Sequence, residues 1–189
     1  DARIESMKRS MGTAMENKIP VLLDLVGVAC SDLRLDLARE LLSIGHPAVL
    51  KGNMSELLAV SGLPSHAIGI DAGIVLVQNG SAALSGITGT GCMVGALTAA
   101  FLPGCEDNIA KKMTDSIEAD VWSGVEMGFN ERSGNYLAAA VLGTALMGIA
   151  GEEAEKISRG PGSFQVNLLD EIYGLSDRQL LNLLKIEMY

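Results

Sequence analysis

The chain of 189 residues contains few of the residues that build several common kinds of site. Only two histidines occur, His46 and His66, which are too few for a histidine-rich zinc site. The cysteines number three and show no paired spacing, so they give no disulfide framework and favour a reducing cytoplasm. No basic tract occurs and the formal net charge is −9, which argues against a nucleic-acid partner.

Long uninterrupted apolar runs are also lacking, although 48% of the residues are hydrophobic. Residues 93–102 come closest to a membrane span but are too short, so we expect no membrane partner. The apolar side chains therefore belong in a core, for which this chain length suffices. No internal repeat, low-complexity tract or linker divides the chain, which predicts a single domain over residues 1–189.

Short apolar segments alternate with amphipathic ones along the chain. A helix is predicted over residues 2–17, followed by buried strands in VLLDLVGV (21–28) and AVLKGN (48–53). The pair Asn79-Gly80 predicts a hairpin with a type I′ turn. This alternation indicates a layered α/β fold. The later segments are predicted to be helices from Gly91 to Phe101, from Tyr136 onward, over 166–174 and over 177–187, with RGPGSF (159–164) as a loop.

The segment Thr88-Gly89-Thr90-Gly91-Cys92 stands immediately before a helical pattern. Its alternating glycines allow backbone N–H groups to turn inward, and the helix adds its positive end, so the segment can form an anion hole. A strand-to-helix turn that needs glycine only for its backbone angles explains the segment equally well. A dinucleotide-binding loop fits less well, because no acidic residue follows at the expected distance, and a Walker lysine is lacking.

Polar residues also lie at the ends of the first two predicted strands. Asp24 is a strand-end carboxylate, which usually caps a turn and less often holds Mg²⁺. Lys51, Asn53 and Glu56 lie at a strand-to-helix junction, where Asn53 and Glu56 can cap the helix, and capping is the favoured interpretation for this segment alone. Together with an anion hole, these groups form the set that phosphoryl transfer uses.

Four motifs resemble, in their order, those of the hydroxyethylthiazole kinases of the ribokinase-like superfamily: VLLDLVGVACSDLR, KGNMSE, ITGTGCMVGALTAAF and GPGSFQVNLLDEIYGL. The cysteine that closes the glycine loop is characteristic of this family, since other ribokinase-like enzymes have aspartate there. The resemblance implies a three-layer α/β sandwich with a central, mostly parallel sheet covered by helices. It implies phosphorylation of the hydroxyl of 4-methyl-5-(2-hydroxyethyl)thiazole, with ATP and Mg²⁺, in thiamine salvage. It also implies a homotrimer.

The resemblance implies a role for each residue of the glycine loop. Cys92 would be the catalytic residue that faces the substrate hydroxyl. Gly89, Thr90 and Gly91 would line the anion hole, with Gly89 also near the thiazole alcohol. Thr88 would lie at the ATP.

The resemblance also implies roles at the two strand ends. Lys51 stands where the family has an arginine that contacts ATP phosphates, and lysine supplies the charge without the bidentate fork. Asp24 and Glu56 fall where magnesium and its waters are held, and Asn53 completes the family's Asn-x-x-Glu pattern.

The chain departs from the family pattern in several places. Leu25 replaces a proline, Ala29-Cys30 replaces Gly-Ala, and Ala72 stands where serine is common. Family segments that would precede Asp1, and others that would lie between Gly73 and Ile74, have no counterpart. We expect a longer protein to contain these segments, rather than expecting a degenerate one.

Two alternative functions stay open. One is a different ribokinase-like activity, either a pyrimidine-alcohol kinase or the ADP- or ATP-dependent dehydratase that repairs hydrated nicotinamide cofactors. Cys92 in place of aspartate argues against both. The other is a non-catalytic paralogue that binds thiazole or nucleotide, or assembles with an active partner, and the segments without counterpart support it.

Overall fold

The structure, a computed structural model, describes residues 2–62, 75–103 and 131–188. Ala72 and Cys105 lie outside the described residues. The chain divides into two compact units, Asp1–Asp71 and Ala72–Tyr189. The single domain predicted over residues 1–189 stays a prediction.

Residues 2–62 of the first unit form a parallel pair of strands and three α-helices. Leu22 pairs with Val49 and Asp24 pairs with Lys51, so the two strands end at the same edge. A short 3₁₀ turn, Val28–Cys30, follows the first strand. The elements are α1 (Ala2–Glu16), β1 (Leu22–Asp24), α2 (Asp32–Ile44), β2 (Val49–Lys51) and α3 (Met54–Ser61).

The core of the first unit lies directly behind the exit of β1. Leu25 is 1% exposed and packs with the buried side chains of Val28 and Ala38. Partly buried Leu23 and Leu57 cover this cluster. Burial of the residue that follows Asp24 fixes the direction in which the chain leaves the strand, because an apolar side chain of this size contributes about 1.5–3 kcal/mol when buried.

The described part of the second unit is mostly helical and contains one antiparallel strand pair, in which Leu76 lies opposite Glu187. A 3₁₀ helix, Ala82–Gly86, precedes the glycine loop. The elements are β3 (Val75–Val77), α4 (Thr90–Phe101), α5 (Glu131–Ile157), α6 (Pro161–Gly174), α7 (Asp177–Leu183) and β4 (Ile186–Met188).

Helix α5 is the centre of the second unit. Its residues Ala150 and Ile149 are fully buried, and α4 and α6 pack against it. A Cβ atom on Gly143 would lie 2.6 Å from the backbone of Thr98, so glycine allows the close approach of α4. The stretch Tyr136–Ile157 is long and apolar enough to cross a membrane, and 67% of its most apolar window is buried in the protein, as in a core helix. The expectation that residues 93–102 come closest to a membrane span is therefore wrong.

The hairpin predicted at Asn79-Gly80 is wrong. Strand β3 pairs with β4, about a hundred residues away, and the chain after Ser81 forms a 3₁₀ helix instead of a returning strand. A type I′ turn needs positive φ at both central residues, whereas the described residues with positive φ are Lys18 and three glycines other than Gly80. Tertiary hydrogen bonds of Asn79 override the local turn preference.

Two helix boundaries also differ from the predictions. The helix predicted over 177–187 ends at Leu183, and Ile186–Met188 is strand β4. The predicted loop RGPGSF is largely the first turn of α6, because Pro161 stands at its first position, where a missing N–H costs no hydrogen bond. The Ser163 hydroxyl accepts the Gly160 N–H at 3.2 Å and closes this turn.

The described strands form two separate two-stranded sheets, one parallel and one antiparallel. Among the described residues, the predicted central and mostly parallel sheet is therefore represented by the β1–β2 pair alone. Layered α/β packing around a larger sheet stays a prediction.

Candidate functional site

The carboxyl ends of β1 and β2 bring Asp24 and Lys51 together. The Nζ atom of Lys51 lies 2.9 Å from Oδ2 of Asp24, and the side chains are 27% and 21% exposed. The Asp24 Oδ1 atom accepts the Val26 N–H at 3.2 Å. The parallel register thus places opposite charges side by side at one sheet edge. The predicted burial of the two strands is wrong: the residues of β1 are only partly buried and Leu50 of β2 is exposed, because no further described strand pairs with either of them.

The Glu56 side chain connects the two segments that follow β1 and β2. Its Oε1 atom accepts the Gly27 N–H at 2.8 Å, and its Oε2 atom accepts the Asn53 N–H at 2.9 Å. These hydrogen bonds, from Gly27 first and then from Asn53, hold the pKa of Glu56 below its ordinary value of 4.5, and the nearby Lys51 charge adds to the effect. Glu56 is therefore an anion that joins two loops.

Gly27 needs to be glycine for its backbone conformation. Its φ of 74° is in the left-handed region, where a side chain is strained. A Cβ atom here would also overlap the guanidinium of Arg34, which donates from Nη1 to the Val26 carbonyl at 3.1 Å. Arg34 and Glu56 therefore both hold the loop after Asp24, Arg34 at the Val26 carbonyl and Glu56 at the Gly27 N–H.

The capping interpretation of the second motif is confirmed. Asn53 precedes α3, and its Oδ1 atom accepts the Glu56 N–H at 2.9 Å and the Ser55 hydroxyl at 2.7 Å. In return, the Glu56 carboxylate accepts the Asn53 N–H, and the two hydrogen bonds together form a capping box. The capping box does not test magnesium binding, which stays a prediction for Asn53 and Glu56.

The donor atoms at the strand ends are chemically suited to magnesium. A carboxylate has about four lone-pair positions, and each oxygen of Asp24 and Glu56 accepts one hydrogen bond that the structure shows. Mg²⁺ prefers one or two carboxylates together with waters and phosphate oxygens, and needs no all-protein cage. Accordingly, over residues 2–62, 75–103 and 131–188 no group of three or more His, Cys, Asp and Glu side chains could hold a metal by itself.

The glycine loop occupies the N-terminus of α4 in the second unit. Gly89 precedes the helix with φ 97° and ψ −6°, and its carbonyl accepts the Met93 N–H at 3.0 Å. The Thr90 hydroxyl donates to the Leu84 carbonyl at 3.3 Å, which ties the loop to the 3₁₀ helix before it. Gly89 makes no side-chain capping hydrogen bond, and helix N-termini of this kind can receive an anion on their first N–H groups.

Cys92 is the third residue of α4 and is exposed as a free thiol. Thr88 and Gly91 are exposed as well. A buried thiol that packs the start of the helix would explain the cysteine without a function, and its exposure contradicts that explanation. An exposed thiol in the first turn of a helix can meet a substrate that binds at the helix end.

The candidate residues thus form two groups, one in each unit. The structure brings Asp24, Lys51, Asn53 and Glu56 together at the strand ends, and it places Thr88 to Cys92 at the start of α4. Sequence reasoning missed Arg34 and the Gly27–Glu56 hydrogen bond. The signal for the latter was a glycine three residues after a strand-end aspartate, the position at which a chain turns sharply.

Known proteins match this chain along its whole length. A model of the hydroxyethylthiazole kinase family matches residues 1–75. Hydroxyethylthiazole kinase 2 of Clostridium botulinum (strain 657 / Type Ba4) is 33% identical over 231 residues, covering 100% of this chain and 76% of the relative. Hydroxyethylthiazole kinase 1 of C. botulinum (strain Loch Maree / Type A3) is 35% identical over 207 residues, with the same shares covered.

A solved structure also matches. The hydroxyethylthiazole kinase protein from Pyrococcus horikoshii OT3 superposes with a TM-score of 0.70 at 25% identity, covering 98% of this chain and 72% of that chain. These similarities place the chain in a family of kinases and support the ribokinase-like fold family that its motifs predicted. The chain belongs to the hydroxyethylthiazole kinase family.

Proposed function

We propose that this protein transfers the γ-phosphoryl group of ATP to the hydroxyl of 4-methyl-5-(2-hydroxyethyl)thiazole, in thiamine salvage. The observation that carries the proposal is the convergence of Asp24, Lys51 and Glu56 at the ends of two parallel strands. Open α/β sheets bind ligands beyond the carboxyl ends of their strands. Family membership supports the kinase reaction, and the names of the relatives support this substrate.

The charged groups at the strand ends would receive the nucleotide. Lys51 is the cation suited to the ATP phosphates, and Thr88 is the second ATP contact implied by the family resemblance. Asp24 and Glu56, with Asn53 beside them, would hold magnesium and its waters. The ion supplies charge neutralisation on the phosphates when it is bound. The chain's own task is to keep its two carboxylates and its cation fixed, because phosphoryl transfer depends mainly on positioning and charge stabilisation.

The start of α4 would receive the acceptor alcohol and the transferring phosphoryl group. The N–H groups around Gly89, Thr90 and Gly91 are suited to the negative charge of phosphoryl oxygens. Cys92 would accept the hydroxyl proton or orient the hydroxyl by a hydrogen bond. Little activation of the nucleophile is required, since the transition state is loose.

The same proposal includes the organisation of the whole protein. We place the chain in a three-layer ribokinase-like sandwich with one domain over residues 1–189, in a cytoplasmic homotrimer. The structural similarity to the Pyrococcus protein supports the fold family. Light scattering at several protein concentrations measures the oligomeric state, and a monomer at working concentration would contradict the trimer.

A coupled ATPase assay across small alcohols tests the activity. We expect magnesium-dependent ADP release with the thiazole alcohol, together with a product heavier by one phosphoryl group in mass spectrometry. Turnover of a pyrimidine alcohol or of hydrated nicotinamide cofactors, without turnover of the thiazole, would replace this assignment by another ribokinase-like activity. Binding of thiazole or nucleotide without turnover would indicate a non-catalytic paralogue.

A further inference from the structure

The two residues proposed to receive phosphate and magnesium are bound to each other. The Lys51 ammonium donates to Oδ2 of Asp24 at 2.9 Å, and both side chains are only partly exposed. A lysine that neutralises an aspartate has less attraction for a phosphate, and an aspartate that neutralises a lysine has less attraction for a cation. A nucleotide that binds here must therefore compete with Asp24 for Lys51.

The surroundings of the pair add to this competition. Glu56 is held as an anion by two backbone N–H groups and is close enough to Lys51 for their charges to interact. The chain also carries a formal net charge of −9. A metal-free polyphosphate that binds Lys51 takes this lysine away from Asp24. The unpaired Asp24 carboxylate then lies near the negative oxygens of the polyphosphate and repels them. A divalent cation at the site removes this repulsion.

We infer that Asp24 is a specificity-determining residue that makes nucleotide binding depend on a divalent cation, through exchange of the Asp24–Lys51 ion pair. In this exchange, Asp24 would hold magnesium or its waters while Lys51 would turn to the phosphates. No covalent bond changes, and each charge has an opposite partner before and after binding. The inference rests on the proposed nucleotide site, and it adds that the site selects metal-bound over metal-free nucleotide.

Calorimetric titration with ATP, in excess Mg²⁺ and separately in EDTA, measures this dependence directly and without turnover. Asp24→Asn keeps an oxygen for the Val26 N–H but no longer neutralises Lys51. We expect this variant to bind metal-free ATP about three- to ten-fold more tightly than the wild type, in keeping with the loss of one competing, partly exposed charge. The gain in affinity on adding Mg²⁺ should fall correspondingly.

A second variant changes Lys51, the other residue of the ion pair, and can be measured even if Asp24→Asn does not fold. Lys51→Met should weaken binding of ATP in Mg²⁺ several-fold and binding in EDTA much less, because Lys51 is engaged by Asp24 when metal is absent. The double variant Asp24→Asn/Lys51→Met should bind metal-free ATP no more tightly than Lys51→Met. Equal weakening of Lys51→Met in both conditions, or a gain that persists in the double variant, would overturn the exchange.

Glu153→Gln is the matched control, because it removes the carboxylate of another lysine pair, Lys156–Glu153 at 2.6 Å, which lies in the second unit. It should leave both affinities unchanged. The wild type could bind ATP in Mg²⁺ while Asp24→Asn binds metal-free ATP no more tightly than the wild type. This result would overturn the exchange and leave the kinase proposal standing. Absence of nucleotide binding by the wild type in either condition would overturn both.

Discussion

The Oε1 atom of Glu56 lies 2.8 Å from the backbone nitrogen of Gly27, and this hydrogen bond joins positions 29 residues apart. Through it, the first turn of α3 holds the loop that carries the chain away from β1. Because the same carboxylate also accepts the Asn53 N–H, one side chain joins the two strand exits. Asp24 and Lys51, which pair in the β1–β2 ladder, lie directly before these exits.

Glu56→Gln should weaken both folding and the response to magnesium. Glutamine offers a single acceptor oxygen, so one of the two backbone N–H groups loses its partner, at a cost of about 1–2 kcal/mol in the free energy of unfolding. We also expect a higher Mg²⁺ concentration at half-maximal rate, as for Asp24→Asn. Urea unfolding and a magnesium titration of turnover measure the two effects.

The matched control for this variant is Ser176→Ala, which breaks the capping box of α7 with Gln179. It should cost about 1 kcal/mol of stability and leave the magnesium response unchanged. Normal rates at limiting Mg²⁺ in both Glu56→Gln and Asp24→Asn would restrict these residues to capping and pairing.

Stability should fall in acid through Glu56 and Glu152. Both have a pKa below the ordinary value of 4.5 in the folded chain. For Glu152, burial alone would raise the pKa, but the Gly80 N–H and Lys185 together outweigh it. A depressed pKa contributes stability above the unfolded value, which is lost as the pH falls through the folded one, so the loss should develop below about pH 5.

Urea unfolding at several pH values from neutral to acid measures this loss. In Glu56→Gln the slope of stability against pH in the acid range should be shallower than in the wild type, because one of the titrating groups is gone. An unchanged slope would show that Glu56 contributes no such dependence.

Cys92→Ala should lower kcat by about 10²–10⁴-fold, the range for loss of a general base, without abolishing activity. The exposed position of Cys92 predicts little change in melting temperature for the same variant. Cys92→Asp should retain activity, since a carboxylate accepts a proton and stands there in other ribokinase-like enzymes. An alanine variant with unchanged kcat would remove Cys92 from the catalytic step.

Gly148→Ala should destabilise the second unit. An added Cβ would overlap the backbone oxygen of Asn79, a contact that only a shift of α5 or of that loop relieves. Such overpacking costs about 1–3 kcal/mol. Gly12→Ala in α1 is the control, because nothing lies within 4 Å of its added atom, and it should be neutral or slightly stabilising. Thermal melting compares them, and equal melting temperatures would contradict the close contact.

Features that depend on neighbouring residues were predictable from the sequence. The existence of β1 and β2 followed from short apolar runs, although the strands are shorter than the predicted segments 21–28 and 48–53. The Asn53–Glu56 capping box followed from its three-residue spacing. These patterns are local because a strand end or a cap involves few residues. The grouping of Asp24 with Lys51 followed in turn, since parallel strands end at one edge.

Features that depend on distant residues were not predictable. The Asn79-Gly80 pair carries a local hairpin signal, yet Asn79 Oδ1 accepts the Lys185 N–H and its Nδ2 donates to the Leu183 carbonyl. These bonds span more than a hundred residues and replace the turn that the dipeptide favours by itself. The Gly27–Glu56 contact was missed for the same reason, because a single sequence does not indicate which distant backbone N–H a carboxylate accepts.

The hydrogen bonds around Asn79 also affect the susceptibility of the protein to deamidation. An asparagine followed by glycine deamidates readily in flexible chains, since the glycine nitrogen attacks the unhindered carboxamide. Here Asn79 is 8% exposed with its carboxamide held on both sides, and the Gly80 N–H is donated to Glu152 at 2.9 Å. The attacking nitrogen and its target are therefore kept from the geometry of ring closure. Peptide mass spectrometry after prolonged storage should find Asn79 intact in folded protein and converted in urea, so the folded state protects a site of spontaneous damage.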